Sequence, residues 1–264
     1  MKHFCRSDII FMEKPIVLYT DHQINRTLCY NFALGAGLLM CHVDNFSDYS
    51  KTIATYGYLR GTGEAIQKSK NFYYMDHGYF NQSSRIFEKN KTKIIDLDGY
   101  FRVVHNDFWH DGSGLQPDDR LKKLKLKFKD INKNGEYIIV SDPTDDAKKF
   151  YNLYEWSNKT INEIKKYTDR PIILHNRSSK TPLSHLLKKA WAFVSDHSSA
   201  GFKAMLEGVP AYFTNNTLSN IGQIKNIEKR EINYLVFNNL AYEQWNIEEI
   251  KNGDCWSHLS KKFL

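Results

Sequence analysis

The sequence predicts an α/β protein of two successive units, each a mostly parallel sheet covered by helices. Three observations predict it. Short apolar runs of strand length recur along all 264 residues, helix-forming stretches lie between many of them, and polar groups gather just after the runs end. Strand–helix–strand alternation with short links makes neighbouring strands parallel, because each helix carries the chain back to the edge it left.

In the first half, residues 15–20 read as a strand, 24–34 as a helix and 52–59 as a second strand. A short helix over 63–70, a strand over 71–75 and a strand over 100–105 follow. The second half has the clearer punctuation. A strand over 137–140 leads through Ser141 and Thr144 into a long helix ending near Tyr167, with Asp145 and Asp146 in an acidic first turn. Next come a strand over 171–174 and a short helix from Ser184. The segment WAFVSDHSSAGFKAMLEGVPAYFT, residues 191–214, reads as a buried strand, a helix capped by Ser198 or Ser199 and stopped by Gly208 and Pro210, and a second buried strand. Residues 1–130 and 131–240 are thus expected to form two Rossmann-like domains facing across a cleft, with the tail 241–264 packing back on the first.

Composition narrows the class. A hydrophobic share of 41% with 14% aromatic residues suffices for globular packing, which argues against disorder. No apolar run approaches the roughly 18 residues that span a bilayer, and the first residues lack a signal-peptide core, so a cytoplasmic protein without membrane contact is expected. Cys5, Cys29, Cys41 and Cys255 form no CxxC pair and read as free thiols. The net charge of +7 favours a polyanionic partner.

Between the halves, LKKLKLKFKDINKNG alternates lysines with Leu124, Leu126 and Phe128. Period-two alternation would put Lys123, Lys125, Lys127 and Lys129 on one side of an extended segment: a lysine-protected edge strand, a stripe tracking phosphates, or a linker.

Ligands of parallel sheets lie beyond the carboxyl ends of the strands. Four clusters occupy such ends: Asp21 and His22, Asp76 and His77, His175 with Arg177 and Lys180, and Asp196 to Ser199. In the last two, Arg177, Lys180, the Ser198 and Ser199 hydroxyls and the amides opening the following helix suit the oxygens of a phosphate. Glu207, further along that helix, is either a partner for ribose hydroxyls or a solvent residue. Arg102, His105 and Asn106 alternate along YFRVVHNDF; with Trp109, Tyr79 and Phe80 they form either a surface for a flipped-out base or part of the core.

The segment SDHSSAGFKAMLEGVPAYF resembles the donor-binding half of GT-B glycosyltransferases. More narrowly, YYMDHGYF, YFRVVHNDF, PDDR, TDRPIILHNR and the tail LAYEQWNIEEIKNGDCW, together with that segment, are similar to a family of bacteriophage-encoded proteins regarded as glycosyltransferases of modified DNA, over roughly residues 15–256. The resemblance implies a GT-B-like arrangement and transfer of a sugar from a nucleotide-sugar donor, UDP-glucose or similar. The implied acceptor is a hydroxymethylated pyrimidine of phage DNA in the cytoplasm of the infected host cell. His175, Arg177, Lys180, His197, Ser198, Ser199 and Glu207 would hold the donor. Asp76 would be the base with His77 beside it, and Asp21 with His22 the second choice. Arg102, His105, Asn106, Lys123, Lys125 and Lys127 would meet DNA. The adjacent pairs Asp118–Asp119 and Asp145–Asp146 lack the DxD spacing of metal-binding glycosyltransferases, so no metal and no cofactor beyond the donor is expected. The short first domain departs from the larger family members. A polysaccharide, lipid or protein acceptor, a non-catalytic nucleotide- or DNA-binding module, and a sugar-nucleotide epimerase are the rival readings.

Overall fold

In the computed structural model, which describes residues 14–82, 85–89 and 92–261, the long-range strand pairing forms two sheets. The first begins with β1 (Ile16–Tyr19), α1 (Gln23–Ala36), β2 (Met40–His42), β3 (Ile53–Tyr56), α2 (Thr62–Lys68) and β4 (Phe72–His77). These four strands are parallel, with β1 between β2 and β3 and β4 beyond β3. Val17, Leu18, Ala54, Tyr73, Tyr74 and Met75 are fully buried, the pattern of strands covered on both faces.

The chain then makes a hairpin of β5 (Arg85–Lys89) and β6 (Thr92–Asp96) and re-enters the sheet as β7 (Tyr100–His105). β7 runs antiparallel to β4, pairing Arg102 with Asp76 and His105 with Tyr73. Its carboxyl end therefore lies at the opposite edge of the sheet from that of β4.

The lysine-rich connection is not an extended stripe. It opens as α3 (Asp119–Leu124), because Leu121 and Leu124, three residues apart, pack together into the core. Lys125 closes the helix in the left-handed region at φ 50°, which ends any alternation. Lys123, Lys125 and Lys127 are all exposed.

The second sheet is wholly parallel. β8 (Tyr137–Ser141), α4 (Asp145–Tyr151), α5 (Trp156–Ile164), β9 (Ile172–His175), α6 (Leu183–Leu186), β10 (Ala190–Ser195), α7 (Ala200–Leu206) and β11 (Ala211–Phe213) give the strand order β11-β10-β8-β9. The single helix expected to run from Asp145 to near Tyr167 is two, broken where Asn152 adopts φ 56°. Gly208 ends α7 at φ 77°, and a Cβ there would run into the carbonyl of Asp130, so both conformation and space require glycine.

After the second sheet come α8 (Leu235–Ala241) and then the tail elements β12 (Gln244–Asn246), α9 (Ile247–Lys251) and α10 (Asp254–Lys261). β12 adds to the first sheet antiparallel to β7, and α9 begins with a capping box between Asn246 and Glu249. The Gln244 side-chain oxygen accepts from the amides of Tyr79 and Phe80 at 2.7 and 2.9 Å, holding the loop that leaves β4. Tyr79, Phe80 and Trp109 share a core cluster with Phe193, Phe202 and Phe237. Of the two readings of those aromatics, the structure gives the core.

No helix among the described residues is long and apolar enough to cross a membrane.

Candidate functional site

A cavity of about 490 Å³ lies where the two sheets meet. Tyr58, Asp76, His77, Gln82, Arg102 and Trp109 line it from the first half, and the loops after β8, β9 and β10 line it from the second. The parallel-strand rule explains the convergence, since each of those loops follows the carboxyl end of its strand.

On the first-sheet side, Asp76 ends β4 with its carboxylate heavily engaged. It accepts from the Tyr74 hydroxyl at 2.9 Å, from Arg102 Nη2 at 3.2 Å and from the amide of His77 at 2.7 Å. Arg102 is only 3% exposed. Its Nε donates to the carbonyl of Phe108 at 2.8 Å, its Nη1 donates to the carbonyl of His77, and its guanidinium lies 3.7 Å from the centre of the Trp109 ring. A guanidinium so committed organises the wall of the cavity.

His77 stands between this network and open space. Its Nε2 is 3.3 Å from the Tyr56 hydroxyl and its ring stacks on Phe101. Burial lowers its pKa; Asp76 opposes that shift and Arg102 reinforces it. The imidazole is thereby biased to its neutral, proton-accepting form.

On the second-sheet side, Asp142 accepts from Lys148 Nζ at 2.7 Å and Ser157 Oγ at 2.5 Å, and its amide donates to the carbonyl of His175 at 2.8 Å. The Asn176 side chain accepts from Ser178 and Ser179 and shapes the turn that carries Arg177. Among the described residues Arg177 makes no ion pair, which leaves its charge available to a ligand. At the start of α7 the arrangement differs from expectation. The amides of Ala200, Gly201 and Phe202 donate to Ser198 Oγ, Ser198 O and Ser199 O, so they are spent within the turn. Anion contacts there fall to side chains.

The predicted residues divide as follows. Asp76, His77, Arg102, His175, Arg177, His197, Ser198 and Ser199 line the one cavity. Asp21 and His22 do not, because β1 lies two strands away from β4; Asp21 instead sits 3.6 Å from His42. Lys180 is exposed and outside the lining. Glu207 follows the seven residues of α7, roughly 10 Å along its axis from the cavity end, and pairs with Lys129 at 2.5 Å. That makes it the solvent residue of the two alternatives. Arg102 is buried rather than presented to DNA. His105 and Asn106 fall at the far edge of the sheet because β7 is antiparallel, and the Asn106 side chain accepts from the amide of Phe72 there. Lys123, Lys125 and Lys127 belong to the α3 region, away from the cavity lining.

Sequence reasoning missed Tyr58, Asp142 and Tyr151 as lining residues. Asp142 carried a usable signal, since it follows an apolar strand just as Asp76 does. Tyr151 had none; it is the last residue of α4, at a helix end that no residue pattern marks. Desolvation pushes the Tyr151 hydroxyl far above its ordinary pKa, so it is a neutral donor.

No protein-family model and no curated protein matches the chain. Among solved structures it is similar to KpsC, a beta Kdo 2,4 transferase from Thermosulfurimonas dismutans, at 12% identity and a TM-score of 0.48, over 91% of this chain and 97% of that one.

Proposed function

We propose that this protein is a glycosyltransferase moving a sugar from a nucleotide-sugar donor to an acceptor hydroxyl, its two sheets forming Rossmann-like domains in a GT-B-like arrangement. One observation carries the reading. A single cavity of about 490 Å³, within the ordinary range of small-molecule sites, has a proton-accepting group on one wall and, on the other, a guanidinium without an ion pair among the described residues together with two serine hydroxyls.

The donor phosphates lie against Arg177, Ser198 and Ser199, where a guanidinium and two hydroxyls offer donors to anionic oxygens. The acceptor lies against the first sheet. Asp76 is poorly disposed to take its proton, because Tyr74, Arg102 and the His77 amide already donate to that carboxylate. His77 is the base in this reading: desolvation favours its neutral form, and Asp76 and Arg102 hold the backbone on which it stands. An acceptor in phage DNA is the finer form of the proposal and rests on sequence resemblance and the charge of +7.

The test is a panel of nucleotide sugars, beginning with UDP-glucose, presented with DNA containing or lacking 5-hydroxymethylated pyrimidines and with simple glycoside acceptors. Thermal shift reads donor binding and mass spectrometry reads product. A donor that raises the melting temperature, and a product lost in His77→Asn, support the reading. Stabilisation by no nucleotide sugar, with no product from any acceptor, overturns it; product on glycosides and none on DNA removes the DNA acceptor alone.

A further inference from the structure

A buried polar chain in the second half ends at the cavity. Trp156 Nε1 donates to Thr214 Oγ1 at 2.6 Å, Thr214 Oγ1 donates to Asp196 Oδ1 at 2.7 Å, and Asp196 Oδ2 meets His197 Nδ1 at 2.6 Å. Asp196 is 8% exposed, and a carboxylate that deep is costly unless both oxygens are engaged, as they are here. The turn does not need this chain to hold its shape. Ser198 N already donates to Ser195 Oγ, Thr214 N to Ser195 O and Asn215 N to Asp196 O.

What the chain does fix is an imidazole. A carboxylate at Nδ1 keeps that nitrogen protonated and leaves Nε2, at the opposite corner of the ring, as the nitrogen that acts on a ligand. His197 lines the cavity together with Arg177, Ser198 and Ser199, and the rings of Tyr151 and Trp109 centre 4.5 and 6.1 Å from its own.

Resting on the glycosyl-transfer reading, we propose that His197 is a catalytic residue on the donor side, which in its imidazolium form, protonated at both ring nitrogens, delivers the Nε2 proton to the phosphate oxygen of the departing nucleotide. Asp196, held by Thr214 and Trp156, is its positioning residue. The bond from the anomeric carbon to that oxygen breaks with its electron pair on the oxygen, which takes the His197 proton. The acceptor oxygen bonds to the anomeric carbon and gives its own proton to His77. One proton enters the leaving group and one leaves the acceptor, and exchange with solvent restores both rings. One histidine on each wall then has a proton-transfer duty, His77 as acceptor and His197 as donor.

Inorganic pyrophosphate is the probe for the departing group, followed by calorimetry and by ¹⁵N NMR of the histidine rings in the full chain. The titratable and charged groups around His197 are Asp196 in its own turn, Tyr151 of α4, Tyr58, Asp76, His77 and Arg102 across the cavity, and Asp142, His175 and Arg177 on the same wall. The readout is thus the difference between wild type and variant. Expected are a shift of the His197 Nε2 resonance on saturation and binding that tightens as pH is lowered. His197→Gln should weaken binding about tenfold and remove that part of the pH dependence. Asp196→Asn, or Thr214→Val should the former not fold, should keep binding while moving the His197 Nδ1 resonance. If His197→Gln binds with wild-type affinity and pH dependence while Arg177→Ala loses binding, the inference fails and the glycosyl-transfer reading stands. If pyrophosphate does not bind the wild-type cavity at all, both fail.

Discussion

Replacing Arg102 by methionine keeps most of the side-chain volume and removes only the charge and the fork of donors. The consequences follow from its surroundings. The side chain of Arg102 is 4% exposed and that of Asp76 25%, so the pair is shielded from solvent to a degree that surface ion pairs are not. Loss of the guanidinium leaves the Asp76 carboxylate without its counter-charge, the carbonyls of His77 and Phe108 without their donors, and the Trp109 face without its cation. Removing one partner of a buried pair costs about 3–5 kcal/mol, and the stranded carbonyls are part of the same network, so their cost is not added separately. For a chain of this size about 1 kcal/mol corresponds to roughly 2–4 °C in Tm, so the variant should melt roughly 6–20 °C below wild type. Urea unfolding followed by both fluorescence and circular dichroism checks the free energy and whether the transition stays concerted. A cycle with Asp76→Asn isolates the pair, and a coupling of about 1–3 kcal/mol is expected for groups in direct contact. A loss below about 1 kcal/mol, or additive single substitutions, would refute the claim that this ion pair braces the cavity wall.

Acid should destabilise the fold through its histidines. Burial lowers the pKa of His77 and of His105 from the ordinary 6.5, so the folded chain binds fewer protons than the unfolded one between the folded value and 6.5. That contribution is complete above 6.5 and disappears as pH falls through the folded values; Tm should drop from about pH 7 to about pH 5, and His105→Asn should flatten the slope. Thiol alkylation should discriminate among the described cysteines: burial pushes the Cys29 thiol up to about 12 and Cys255 is also buried, so mass mapping at mild alkaline pH should find Cys41 modified and those two protected. Gly35→Ala probes the tail, since an added Cβ meets the carbonyl of Ile250 and lies 2.9 Å from both Gly253 N and Lys251 O. Overpacking there should cost about 1–3 kcal/mol and raise hydrogen exchange in α9, and unchanged exchange would refute close docking of the tail on α1.

The parts of the site legible in the sequence are those set by one local rule. An apolar strand followed by polar residues places those residues at the carboxyl edge, and by that rule Asp76, His77, His175, Arg177, His197, Ser198 and Ser199 reach one cavity. The same rule selected Asp21 and His22, which do not reach it, because strand order decides which edges are neighbours and no local pattern encodes that order. Direction was equally hidden. β7 is legible over the residues it occupies, yet its antiparallel course is set by partners distant in sequence, and it reverses the placement of His105 and Asn106. At the lysine run two periods competed, and burial of Leu124 in the shared core decided for the helix.

Arg102 and Arg177 show why residue type alone could not assign the cavity. Each follows or lies within an apolar strand, and each borders the same space. The difference is in what the remainder of the fold demands. Arg102 answers a carboxylate, two carbonyls and an indole, all fixed by the first sheet and its exit loop, so its charge is spent in holding shape. Arg177 stands on an exposed turn built by Asn176, Ser178 and Ser179 and pairs with no carboxylate among the described residues. A ligand anion is then the partner whose arrival changes the energy of Arg177 most and that of Arg102 least. Arg177→Ala should accordingly abolish anion binding with little change in Tm, whereas Arg102→Met should lower Tm steeply.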